Sequence, residues 1–197
     1  MCRLFKGRVE ISAGICLLTA WFAAVNGWRL LGTVLNAVVV HELGHFLMLM
    51  GFGAKITGVR LSVFGAVLEA NCAGLSYGRE LLSVLAGPAA NFLYAVTLTI
   101  FGGEIAAGAN LVLCAFNLLP VRPLDGGRAV YLATSWLAGP AAGETVSRLT
   151  GILTAGAAAA SILYLMMRSR GSLWLFPSAM GFFLAFARET AGKGDFL

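Results

Sequence analysis

Long apolar runs fill most of the chain and alternate with short polar turns. A membrane-spanning helix needs about 20 mainly apolar residues. Runs approaching that length lie at 11–25, 30–51, 81–102, 105–120, 149–167 and 172–187. Arg3, Lys6 and Arg8 precede the first run, as in a secretory signal peptide. A second apolar helix follows after only the short Asn26–Arg29 turn, which favours a retained helix. Two stretches break the helical pattern. Residues 53–79 include Lys55 to Val63, which alternates for much of its length; Phe64-Gly65 then interrupts before Ala66 to Glu69. This pattern predicts a short β-hairpin. Residues 121–143 hold Pro123, Gly126, Gly127, Gly139 and Pro140, with a short helix expected at 128–137. Irregular backbone at membrane depth must be satisfied by protein or by a wet cavity, so both stretches are expected at the cytoplasmic interface. The expected fold is an all-α polytopic membrane protein with about six transmembrane helices and a short interfacial β-hairpin. It forms one domain over 1–187, followed by a cytoplasmic tail over 188–197.

Composition agrees with a lipid environment. Hydrophobic residues make up 59% of the chain and charged residues 12%, against about 25% charged in soluble domains. The net charge of +5 suits nucleic acid or an anionic lipid surface. The basic residues sit between apolar runs rather than in one stripe, so the bilayer is the expected partner and nucleic acid is not. Six spans place both termini on one side. That side receives Arg3, Lys6, Arg8, Lys55, Arg60, Arg79, Arg122, Arg128, Arg148, Arg188 and Lys193; the other receives Arg29, Arg168 and Arg170. Positive residues favour the cytoplasm, so both ends are expected there. Cys2, Cys16, Cys72 and Cys114 show no CxxC spacing and read as buried thiols rather than a disulfide framework.

The second run contains His41-Glu42-Leu43-Gly44-His45. Residues i and i+4 share one helix face, about 6 Å apart along the axis. Two imidazoles so placed can hold one zinc. Glu42 lies about 100° around the helix from His41, where it can act as a base without ligating the metal. HExxH also occurs by chance in soluble helices. Within an apolar span, however, ionisable groups are expensive and mark function, and these are the chain's only two histidines. A catalytic zinc takes three protein ligands, so one is still missing. Asp125 follows the fourth span in a segment that prolines and paired glycines keep irregular. The residues alone leave two roles open for it: a ligand turned inward, or a carboxylate paired with Arg122 or Arg128 in an interfacial turn.

His41–His45, Gly87-Pro88-Ala89-Ala90-Asn91, and Asn117-Leu118-Leu119-Pro120 running into Leu124-Asp125-Gly126-Gly127-Arg128 occur in that order. With these pieces the chain resembles the site-2 protease family of intramembrane metalloproteases, and its layout is similar to the stage IV sporulation protein FB type. The resemblance implies that His41, His45 and Asp125 are zinc ligands and Glu42 the catalytic base. It puts Asn91 and Asn117 near the active site, as contacts for substrate backbone or intermediate; interhelical hydrogen bonding is the plainer role for both. Close helix packing is the main role expected for Gly87–Ala90. The implied activity is cleavage of membrane-tethered proteins within or beside a transmembrane segment, including sigma-factor precursors. Membrane regulatory proteins are implied as partners, and a bacterial cell membrane as the setting. Some relatives carry a C-terminal nucleotide-sensing domain; these 197 residues hold none, so ATP regulation is not expected of them.

Two other functions use some of the same residues. A metal transporter would need further polar groups along a path through the membrane, and the spans offer few. An inactive scaffold binding transmembrane helices would not need Glu42. The topology is open to a direct check: a reporter fused to the C-terminus should report a cytoplasmic location. Extracytoplasmic accessibility would overturn the six-span arrangement.

Overall fold

A computed structural model of the chain describes residues 8–11, 13–62, 65–71, 74–168 and 176–191. The elements run β1 (Arg8–Ile11), α1 (Ala13–Asn26), α2 (Trp28–Gly51), β2 (Lys55–Ser62), β3 (Gly65–Asn71), α3 (Tyr77–Ile100) and α4 (Glu104–Asn117). They continue with α5 (Asp125–Ala138), α6 (Pro140–Arg168) and α7 (Phe176–Thr190). The chain divides into two compact units, Met1–Asn117 and Leu118–Leu197.

In the first unit α2, α3 and α4 pack against one another, and α1 lies against α2. Its interior is rich in small and polar side chains, with Leu31, Leu49 and Val84 buried among them. Ala37, Ala95 and Ala107 are buried, and Asn91 and Asn110 are fully so. Most large apolar side chains point outward instead: on α3, Leu93 is 66% exposed while Ala95 is 1% exposed. This inversion suits a molecule solvated by acyl chains, where small residues let backbones approach and polar side chains bond across helices. Among the described residues α2, α3 and α6 are long and apolar enough to cross a membrane. The 14-residue helices α1 and α4 reach about 21 Å, short of a hydrocarbon core of about 30 Å.

The stretch with alternating residues forms β2 and β3, paired antiparallel with Arg60 opposite Val67 and a register irregularity between Ile56 and Gly58. Residues 63–64 and 72–73 lie outside the described residues. A third strand was not expected: β1 pairs parallel with β2, Arg8 facing Gly58. Four residues are too few to register as alternation, and their partner lies some fifty residues downstream. The first helix consequently starts at Ala13 rather than at 11.

In the second unit α6 packs against both α5 and α7. Val121 and Leu124, from the connection ahead of α5, join Ala155 of α6 and Phe182 of α7 in a buried cluster. The helix expected at 128–137 begins earlier, at Asp125. The one expected from 149 begins at Pro140, a residue pre-set for a first helical position. Its leading turns, with Glu144, Ser147 and Arg148, are too polar to stand out by hydropathy. Of the run expected at 172–187, residues 172–175 lie outside the described residues, and α7 continues to Thr190, past the expected start of the tail. Cys16 is exposed and Cys114 buried, so burial was the wrong expectation for Cys16, which sits on an outward apolar face. Cys2 and Cys72 lie outside the described residues.

Arg122, counted above among the basic residues of the cytoplasmic side, is 5% exposed. Its guanidinium meets both Glu144 carboxylate oxygens, at 3.0 and 2.9 Å, and donates twice to Ser147 Oγ. These bonds fasten the connection before α5 to α6. Glu144→Ala should therefore destabilise the protein by about 1–3 kcal/mol, the penalty for leaving a buried donor short of an acceptor. The double variant Arg122→Met/Glu144→Leu should lose less, because no charge is stranded. Thermal unfolding of the solubilised protein would rank the two, and the reverse order would refute this account of the pair.

Candidate metal centre

The HELGH residues lie in the second half of α2. His41 is buried, while Glu42 and His45 are half-buried. The two imidazoles meet edge to face, ring centroids 4.7 Å apart, with Nε2 to Nε2 at 3.1 Å.

Both rings are held from behind by α3. His41 Nδ1 lies 2.7 Å from Asn91 Oδ1, and His45 Nδ1 lies 2.8 Å from the Ser83 carbonyl oxygen. The partners settle where the protons are. Asn91 Nδ2 donates to the Ala37 carbonyl at 2.9 Å and to Asn110 Oδ1 at 2.7 Å. Its Oδ1 therefore faces His41, and Nδ1 of His41 must be the donor. The Ser83 carbonyl can only accept, so Nδ1 of His45 also donates. With both Nδ1 atoms donating, the two Nε2 atoms converge at 3.1 Å, a spacing that a proton or a metal ion placed between them would satisfy. Tetrahedral zinc with ligand nitrogens at about 2.0–2.1 Å sets them about 3.3 Å apart. The donor set thus fits zinc, with the outward nitrogens oriented as metal-binding histidines require.

Glycine makes the arrangement possible. A Cβ on Gly44 would stand 2.5 Å from the Ala86 carbonyl oxygen and 2.8 Å from Ala90 Cβ, and one on Gly87 would strike the His45 ring. The Gly87–Ala90 run is thus a packing surface that α2 crosses at close range. Pro88, inside the same helix, cannot donate to the Val84 carbonyl, the neighbour of the Ser83 carbonyl that meets His45.

The other expected site residues sit as follows. Asn91 is fully buried, and its amide is spent on His41, Ala37 and Asn110. These are the interhelical hydrogen bonds weighed above as its plainer role, and they set it behind the His41 ring. Asn117 ends α4, half-buried, and donates to the Leu113 carbonyl. Asp125 belongs to the second unit. It opens α5 rather than lying in an irregular stretch, and it is half-buried. A carboxylate is well placed in a first helical turn. Gly126 and Gly127 press α5 against the incoming chain, where added Cβ atoms would collide with backbone of Leu118 and Val121. Arg122, weighed as an Asp125 partner, meets Glu144 and Ser147. Sequence reasoning missed Asn110. It is a buried amide midway along the apolar α4, and the cost argument applied to the histidines would have singled it out.

No family model matches the chain. Zinc metalloprotease MJ0392 of Methanocaldococcus jannaschii is 32% identical over 104 residues, 47% of this chain and 30% of that protein. Stage IV sporulation protein FB of Bacillus subtilis is 32% identical over 138 residues, 65% of this chain and 48% of that protein. The solved site-2 protease from Methanocaldococcus jannaschii shares the fold, with TM-score 0.69 and 22% identity over 96% of this chain and 93% of that one. The chain spans less than half the length of the curated relatives it matches.

The anchors behind the histidines can be tested by metal affinity alone. Asn91→Leu should weaken zinc binding by about 10- to 100-fold, the usual effect of removing a partner behind a ligand. Gly87→Ala should weaken it as well, by displacing the His45 ring. Competition with a chromogenic chelator gives the affinities, and wild-type affinity in a folded Asn91→Leu protein would disprove the anchoring role.

Proposed function

We propose that this chain belongs to the site-2 protease family of membrane zinc metalloproteases and is an intramembrane zinc endopeptidase, a reading that its likeness to those proteins supports. It cleaves membrane-tethered proteins within or beside a transmembrane segment. The observation that carries this reading is the pair of converging Nε2 atoms, each on a ring held at Nδ1, beside Glu42 on the same helix. Asp125 is the third ligand in this reading. Two histidines leave one protein ligand to be found for a catalytic zinc, and Asp125 opens α5 in the family's L-D-G-G segment.

Zinc held by these residues would polarise the scissile carbonyl and bring the pKa of a water towards about 7. Glu42 takes the proton of the attacking water and passes it to the leaving amine. Asn117 contacts substrate backbone, and Asn91 keeps His41 in its ligating tautomer.

A helical peptide bond is already hydrogen bonded and sterically covered, so the substrate must unwind first. The edge of the β2–β3 hairpin at the cytoplasmic interface would take an unwound segment as an added strand. The spans in this reading are α1, α2, α3, α4, α6 and α7, the shorter ones met by local thinning of the bilayer. They form one catalytic domain over 1–187 in a bacterial cell membrane, with both termini cytoplasmic. A membrane-associated sigma-factor precursor is the substrate class that the sporulation-type resemblance suggests, with membrane proteins as regulators.

Glu42→Gln separates an enzyme from a helix-binding scaffold. It should keep zinc and bind a substrate helix while cleavage falls by about 10²-fold or more, the scale of general-base loss. His41→Ala should lose both metal and activity. Cleavage by Glu42→Gln at the wild-type rate, measured on a tagged membrane substrate by gel shift, would refute the assigned chemistry.

A further inference from the structure

We infer that Asn110 is a positioning residue for the metal centre, acting through Asn91 on His41. The inference rests on the zinc reading of that centre, not on the proteolytic one. Asn110 lies midway along α4, fully buried in a helix whose other residues from Ile105 to Phe116 are apolar or small. A buried amide is costly without partners, and this one bonds in both directions. Its Nδ2 donates to the Ala106 carbonyl at 2.9 Å, which turns its Oδ1 to accept from Asn91 Nδ2 at 2.7 Å.

Counting hydrogens shows what the bond does. Asn91 has two N–H donors and one carbonyl oxygen. The donors have two acceptors, the Ala37 carbonyl and Asn110 Oδ1, which leaves Oδ1 for His41 Nδ1. Turning the Asn91 amide over would set its oxygen against two other oxygens and offer an N–H to His41 Nδ1. His41 could answer only by moving its proton to Nε2, the nitrogen that must stay bare to hold a metal. Asn110 is the side-chain half of this lock, and its place on α4 makes a third helix part of the ligand's orientation.

The test measures zinc and cobalt affinity of the solubilised 197-residue chain by chelator competition. Asn110→Leu keeps the size but removes the acceptor, and should weaken binding by about tenfold or more, within the range for partners behind a ligand. Asn110→Asp restores an acceptor oxygen and should recover most of that loss. Adding Asn110→Leu to Asn91→Leu should weaken binding little further, because the effect runs through Asn91; a merely structural role gives additive losses. If Asn110→Leu does not fold, Asn110→Ala takes its place in the same cycle. Undiminished affinity in the folded Leu or Ala variant, or additive losses, overturns the inference. Failure of the wild-type protein to bind zinc would instead sink the metal-centre reading, and both results are independent of cleavage.

Discussion

The hydrogen bond from His41 to Asn91 is the interaction on which the first unit turns. It is a bond between two groups that an apolar interior would otherwise reject, an imidazole and a carboxamide. Each is tolerable there only because the other is present and because backbone and Asn110 absorb what remains. The small residues around them follow from the same need. Ala37, Gly44, Gly87 and Ala90 let α2 and α3 come close enough for side chains as short as asparagine and histidine to touch. Bulk is moved to the outside, where lipid accepts it. The packing and the chemistry therefore have one cause.

The second unit uses a different device for a similar end. Its critical connection, from Leu118 to Leu124, is neither helix nor strand, and its backbone needs support. Val121 and Leu124 are sunk into an apolar cluster, and the Arg122 guanidinium is spread over Glu144 and Ser147. Asp125 thus starts its helix from a connection held by both apolar and ionic contacts. An ion pair with a buried guanidinium and a half-exposed carboxylate is weak evidence for stability but can specify a single arrangement. Here it fixes which turn of α6 the connection meets.

What could be read from the sequence was whatever concentrates in a short window. HELGH, the Gly87–Asn91 run and the Asn117–Arg128 segment are local strings whose meaning follows from helix periodicity and from the cost of polar groups in lipid. Hydropathy likewise marked the apolar cores of α2, α3 and α6. Features that depend on distant partners were hidden. Strand β1 is four residues whose mate is β2. Arg122 looked like an interfacial charge because Glu144 is 22 residues on. Interhelical bonding was the plainer role for Asn91, but its partners Ala37 and Asn110 lie on other helices and no local pattern names them. The start of α6 was lost for another reason: its first turns are polar, and hydropathy follows the bilayer rather than the helix.

One helix, α3, supplies the anchors for both imidazoles: Ser83 for His45 and, eight residues further on, Asn91 for His41. The two histidines, in turn, come from a single neighbouring helix. The result is a pair of imidazoles held between two rods, with four attachment points and little freedom to shear. Any tilt of α3 against α2 would swing both rings together rather than one at a time. The spacing of the two Nε2 atoms is thus a mechanical property of a helix crossing, set by the glycines that fix how near the rods can lie.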